Sequence, residues 1–228
     1  MSSQGAEATR EWQDREFAQS WVAADHFEGL LGLPRRIAAA IVSADRPDST
    51  LILDVASGPG AFLTAMLDEL PTATGIWSDT STAMADEARV RLAAFAGRVE
   101  FKEVDMTDLP AAGLPSGIDA IVTSRAAHHL ERAELGRFYA QAKEILAPGG
   151  WLVNLDHIGP VEVWDRRLRA VRSRFVPSGA EGPKHHHNYP LTSVSDHLDA
   201  YAEAGIDDVE VVWRGFYTCL FMGRKADS

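Results

Sequence analysis

LILDVASGPG, residues 51–60, is an apolar run that closes on an acid and then opens into small residues. A strand that feeds glycines and then a helix lets backbone approach a ligand, and the helix start presents free N–H groups. Three ligands compete for such a loop. A phosphate-gripping P-loop needs a lysine and then Ser or Thr after its glycines. Ser57, Gly58, Pro59, Gly60, Ala61 and Phe62 contain no lysine, which excludes it. A dinucleotide fingerprint needs a third glycine where Leu63 stands, and Asp54 would repel a pyrophosphate, so this reading is the weaker one. A nucleoside with a cationic or zwitterionic tail and no phosphate accounts for the acid. Asp54 can attract an ammonium or sulfonium directly or through water.

Outward from this loop, strand and helix patterns alternate. "LILDV" is a strand and "AFLTAMLDEL" a helix; "TATGIWSD" and "TAMADEARVRLAAF" repeat the pair. "VEFKEVD" and "IDAIVTS" are strands, "LGRFYAQAKEILAPGG" is a helix stopped by Pro148, Gly149 and Gly150, and "WLVNLD" is a fifth strand. This rhythm implies βαβ crossovers and a parallel sheet covered on both faces. After a helix at "SVSDHLDAYAEAG", "VEVVW" and "YTCLFMG" are separated by "RGF" alone. Three residues cannot make a parallel crossover, so these strands pair antiparallel. Upstream, Phe17, Trp21, Ala24 and Phe27 have helical spacing, and a second helix carrying Ile37, Ile41 and Ala44 follows Pro34, a residue favoured at helix starts.

"LDVASGPG" resembles the first motif of class I S-adenosylmethionine-dependent methyltransferases. That family carries an acid followed by G-x-G-x-G; Ala56 stands at the first glycine and keeps the loop small. The other motifs fall in order. Asp79 in "GIWSDTSTAM" lies 19 residues after Gly60, where the resemblance implies a bidentate acceptor for both ribose hydroxyls. Asp105 in "VEFKEVDMTDLP" would accept the adenine amino group, and Met106 would offer an N–H and an apolar wall. Ser57, Gly58, Gly60, Thr80, Met84, Thr107, Ser124 and Arg125 complete the implied cofactor contacts. Arg125 could equally bind a substrate carboxylate or neutralise a nearby acid such as Asp54. The resemblance covers residues 45–160, and 190–225 by pattern. It implies an α/β, Rossmann-like, seven-stranded and mostly parallel sheet with an antiparallel C-terminal strand and helices on both faces. Residues 1–45 would be an N-terminal helical cap, residues 46–228 the methyltransferase domain, and about 158–192 a substrate-covering insertion.

Methyl transfer is a direct displacement, so alignment supplies much of the rate, and a nucleophile with a proton to lose wants a base. His128 and His129, in the turn after the fourth strand, are the candidate bases, and the sequence does not choose between them; packing or a backbone hydrogen bond is the plain alternative. Asp156 after the fifth strand would be the partner acid, with His157 beside it. Trp21 and His26 in the N-terminal segment, His157, and His186, His187 and Tyr189 in "GPKHHHNYP" are candidate substrate contacts; Phe27 and Tyr217 add to an aromatic acceptor pocket. His185–His187 could also be a polar loop or a metal site, although three adjacent imidazoles rarely converge on one ion. No metal is expected. Cys219 reads as strand core, and so does Trp77, which could also wall the ribose or adenine edge.

The chain has 228 residues with 33 acids against 22 Lys and Arg, a formal charge of −11. That charge disfavours a nucleic-acid partner. Five arginines between Trp164 and Phe175 read first as a solvated helix face, or else as an anchor for an anionic substrate. One cysteine rules out an intrachain disulfide; together with no apolar leader and no membrane-length run it leads to the expectation of a soluble cytoplasmic protein. The expected activity is methylation of a small molecule, at oxygen or nitrogen. The alternatives are a fold member that uses the cofactor for other chemistry, a non-catalytic binding protein, or a macromolecule methyltransferase. A homodimer is possible on this reading.

Overall fold

The computed structural model describes residues 12–24, 28–172, 174–175 and 190–227. Among the described residues, helices α1 (Arg15–Ala24) and α2 (Glu28–Asp45) precede the sheet. Then come β1 (Leu51–Val55), α3 (Ala61–Glu69), β2 (Thr74–Ser78), α4 (Thr82–Arg91), β3 (Val99–Lys102), β4 (Ile118–Ser124), α5 (Arg132–Ile145) and β5 (Leu146–His157). α6 (Glu162–Arg172), α7 (Val194–Glu203), β6 (Asp208–Gly215) and β7 (Thr218–Arg224) follow. The seven strands lie in the order β3-β2-β1-β4-β5-β7-β6. β1, β2, β3, β4 and β5 pair parallel, and β7 runs antiparallel to both β5 and β6.

Parallel strands bury both faces, which is why β4 shows six buried residues in seven. Alternation along β1 sorts its side chains: Ile52 joins one core and Leu53 and Val55 the other. The first core packs α2, α3 and α4 through Ala38, Val42, Phe62, Leu63, Met66 and Met84. The second packs α5 and α7 through Leu135, Phe138, Tyr139 and Tyr201. α2 thus packs directly into this first core. Asp119 fixes the amino edge, accepting from Arg46 Nη2 at 2.7 Å and from the Thr50 and Leu51 N–H groups at 2.7 and 3.1 Å.

Three expected boundaries move. Pro34 does not start the second helix but lies inside α2. The helix runs through it at the loss of one backbone bond because Ala38, Ala39 and Val42 beyond it are buried. Likewise Pro148, Gly149 and Gly150 do not end α5: the helix stops at Ile145, and these residues lie within β5. The β4–β5 register shifts there, between Ile118 and Ala120, and Gly149 has φ 67°, a left-handed conformation that glycine adopts without strain. β6 and β7 are joined by a tighter turn than "RGF", with only Phe216 and Tyr217 between them. α6 buries no residue, as expected of a solvated arginine face.

Candidate active site

The loops after β1, β2, β4 and β5 all leave the carboxyl edge of the sheet, and β1 is flanked there by β2 and β4, the switch point where open α/β sheets bind ligands. Because β7 is reversed, its first residue, Thr218, arrives at the same edge opposite His157.

Asp54 lies on the α3 side of the sheet, fully buried. Its Oδ2 accepts the Ser57 hydroxyl at 2.5 Å and the Leu63 N–H at 3.0 Å. Gly60, the residue that caps α3, has no side chain to do this, so the strand acid caps the helix instead. Burial pushes the Asp54 carboxyl up to about 7. Ala56, Gly58 and Gly60 have φ of 50°, 54° and 82°, so the loop is wound left-handed at three positions. It is pinned from β2: the Ser57 N–H donates to the Ser78 carbonyl, and the Trp77 indole N–H donates to the Gly58 carbonyl, both at 2.9 Å.

Asp79 is half-buried and bridges two loops, Oδ2 accepting the Gly58 N–H and Oδ1 the Ser81 N–H, each at 2.9 Å. Burial raises its carboxyl above the usual range. Ser81 caps α4 by accepting the Met84 N–H at 3.1 Å; the Met84 side chain is in the core. A strap from the N-terminal segment crosses this loop. Gln13 Nε2 donates to the Thr80 carbonyl at 2.6 Å, Ser81 donates to the Trp12 carbonyl, and Arg15 pairs with Asp86 at 2.6 Å. Asp105 is exposed and accepts from the Thr107 N–H and hydroxyl at 2.8 and 2.7 Å, while Met106 packs half-buried on the second core.

In the turn after β4, Arg125 has φ 57° and its N–H donates to the Leu155 carbonyl at 2.9 Å. His128 and Asp156 are both buried. Asp156 Oδ2 accepts the His128 N–H at 2.8 Å, and Oδ1 lies 2.5 Å from His128 Nδ1. Oδ1 also accepts the His157 N–H at 2.7 Å. Burial raises the Asp156 carboxyl above the usual range, against the pull of the His128 and His157 N–H groups. As a carboxylate it accepts only, which would put the hydrogen on Nδ1 and leave Nε2 for proton transfer. His129 instead lies tilted against the His128 ring, centroids 4.2 Å apart, with the Trp12 ring 6.4 Å from it edge-on, and His157 Nδ1 lies 3.1 Å from Thr218 Oγ1.

The side chains of Trp21, His26, His185, His186, His187 and Tyr189 lie outside the described residues. Among those described, no group of three or more His, Cys, Asp or Glu could hold a metal, and no helix is long and apolar enough to cross a membrane. Two further contributors join the site. Trp77 is buried, as strand core should be, and its buried indole N–H needs an acceptor, which the glycine loop one strand away supplies. The strap from Trp12 to Arg15 carries no local signal.

This strand order with one reversed strand, and this loop beneath it, define the class I methyltransferase fold. Residues 52–150 match the family model described as a methyltransferase domain. The hybrid PKS-NRPS synthetase mpsA of Macrophomina phaseolina (strain MS6) is 29% identical over 111 residues, 47% of this chain and 3% of that protein. An O-methyltransferase family protein from Burkholderia thailandensis superposes with TM-score 0.66 at 23% identity, over 90% of this chain and 60% of the other. An O-methyltransferase family 2 protein from Planctomyces limnophilus DSM 3776, solved in complex with apigenin, gives TM-score 0.57 at 24% identity over 77% and 51%. The chain thus spans a small fraction of the curated relatives it matches and less than two thirds of these solved structures. Over residues 52–150 the chain is similar to methyltransferase domains, and its fold is that of the class I methyltransferases, whose cofactor is S-adenosylmethionine.

The residues present fit that cofactor. A Cβ at Gly58 would meet nothing within 4 Å, so the loop's outer side is open. Asp54 Oδ1 and Ser124 Oγ are buried polar atoms without a hydrogen-bond partner at the same edge.

Proposed function

We propose that the protein methylates a hydroxyl of a small, aromatic acceptor, with His128 as general base and Asp156 as its orienting acid. The Asp156 carboxylate bound to both the backbone N–H and the ring nitrogen of His128 carries this reading. It fixes the tautomer that presents Nε2 as the acceptor of a proton, and it stabilises the imidazolium that results. It also favours His128 over His129. When bound, S-adenosylmethionine supplies a sulfonium methyl to a lone pair. Asp54, Ser57, Gly58, Gly60, Asp79, Thr80, Met84, Asp105, Met106, Thr107, Ser124 and Arg125 are the residues we assign to holding it, around the open side of the glycine loop. His128 Nε2 removes the acceptor's proton, and the rings of His129, His157 and Trp12 line the approach. The apigenin complex of the Planctomyces protein supports a phenol as the first acceptor class to try. His186, His187, Tyr189, Trp21 and His26 are further candidate substrate contacts. A cytoplasmic setting and a homodimer belong to the same reading.

The test is turnover of the purified protein with S-adenosylmethionine and a pool of phenols and amines, reading S-adenosylhomocysteine and the methylated product by mass. Product formation in the wild type, lost in His128→Gln and Asp156→Ala with cofactor binding retained, is the expected result. Cofactor binding with no S-adenosylhomocysteine from a broad, concentrated pool would sink the reading. Exclusive N-methylation would sink the choice of oxygen.

A further inference from the structure

The insertion after β5 has two roots, and they touch. The Gly159 N–H donates to the Thr192 carbonyl at 2.9 Å, and a Cβ on Gly159 would lie 2.5 Å from the Leu191 carbonyl oxygen. From there a line of buried polar side chains runs into the sheet. Thr192 Oγ1 lies 3.0 Å from Nε2 of His197, on α7. His197 Nδ1 lies 2.9 Å from the Tyr139 hydroxyl, on α5, which accepts Asn154 Nδ2 at 2.8 Å. Asn154 stands two residues before Asp156 on β5, so both side chains leave the same face. The His197 ring stacks on Phe221 at 4.5 Å and 19°.

The chain has a direction. Tyr139 accepts from Asn154, so its own proton points at His197 Nδ1; Nε2 then carries the hydrogen and donates to Thr192. That polarity needs a neutral imidazole, and burial holds the ring neutral, pushing it down to about 4. Thr192, His197, Tyr139 and Asn154 are all buried, in a region where apolar side chains would pack without desolvation cost. None of them takes part in the proton transfer assigned to His128. What distinguishes the chain is where its ends lie, one at the insertion root and one on the strand that holds the acid.

We propose that His197 is a positioning residue of this site: through Thr192 on one side and Tyr139 and Asn154 on the other, it holds the insertion root in register with the Asp156–His128 pair. This rests on the reading of that pair as the catalytic base and its orienter. Contact between an acceptor and the insertion is thereby felt at the base.

The experiment compares the full chain with Thr192→Val, Tyr139→Phe and the double variant. Each single change lowers kcat about fivefold with the S-adenosylmethionine KM unchanged, and the double variant falls no further, because the chain acts as one unit. A second readout needs no turnover: the His128 Nδ1–H proton resonance, assigned by its loss in His128→Gln, exchanges with water faster in both single variants. Wild-type kcat together with an unmoved resonance overturns the proposal, as do additive kcat losses that merely track thermal stability. If no acceptor turns over but the resonance still responds to Thr192→Val, the methylation reading fails and the coupling stands.

Discussion

Asp54 Oδ2 accepts the backbone N–H of Leu63 at 3.0 Å, so the last acid of β1 caps the helix that follows it. Full burial raises this carboxyl to about 7, although the Ser57 hydroxyl and the Leu63 N–H both pull it down. A carboxyl raised in the folded state gives stability that is complete below its unfolded value of 3.8 and is lost as pH rises through about 7. Asp54→Asn keeps an acceptor for Leu63 without the charge. The variant is expected to melt no lower than wild type at about pH 8 and to lose the pH slope between about 4 and 7, while binding S-adenosylmethionine about tenfold more weakly. Thermal unfolding across pH, with calorimetry of binding, checks both halves.

Trp77→Phe keeps the ring that lies 5.1 Å from Phe101 but removes the donor to Gly58. The loss is about 1 kcal/mol, felt at the loop and not in the core. Cofactor Kd should rise about fivefold with little change in melting temperature.

Gly58 and Gly60 separate binding from folding. Both have positive φ, but a Cβ on Gly60 would lie 2.9 Å from Leu92 Cδ1, whereas one on Gly58 meets open space. Gly60→Ala is expected to destabilise by about 2 kcal/mol or more, and Gly58→Ala by about 1 kcal/mol with the larger loss in cofactor affinity. Denaturant unfolding beside cofactor titration distinguishes them.

Asp156→Asn puts an amide in place of the carboxyl beside His128 Nδ1, so on the proposed reading the ring loses its tautomer preference. Turnover is expected to fall by about 10²-fold or more with cofactor affinity unchanged. A variant that keeps wild-type kcat would remove His128 as the base.

His197 sets an acid limit on stability. Its folded pKa is depressed from 6.5 to about 4, so its contribution is complete above 6.5 and is lost as pH falls through about 4. The melting temperature should decline over that window, and His197→Gln should flatten that part of the decline.

What was legible in the sequence was what local pattern controls. "LILDV" is β1, "IDAIVTS" is β4, and the short gap before "YTCLFMG" forced an antiparallel pair that β6 and β7 form. Cys219 is buried strand core. Pro34 misled because packing beyond a proline can carry a helix through it. Pro148, Gly149 and Gly150 misled because β-pairing took residues that look like a stop. Which of His128 and His129 pairs with Asp156 was out of reach, since the contact spans 28 residues and depends on how the turn after β4 packs. The left-handed backbone at Ala56, Arg125 and Phe216 is imposed by tertiary contacts on residues that do not prefer it.

β7 follows β6 in the chain yet lies between β5 and β6 in the sheet. During synthesis, β6 leaves the ribosome with no neighbour to pair with, and its edge stays open until the next strand is made and inserted. Thr218, the partner of His157, arrives with that strand. The acid-and-histidine edge thus acquires its last wall only when a pairing across 61 to 73 residues has closed, which makes β7 docking a late event in folding. A nascent chain stalled before β7 would hold the glycine loop and the Asp156 strand, with an incomplete wall beside His157.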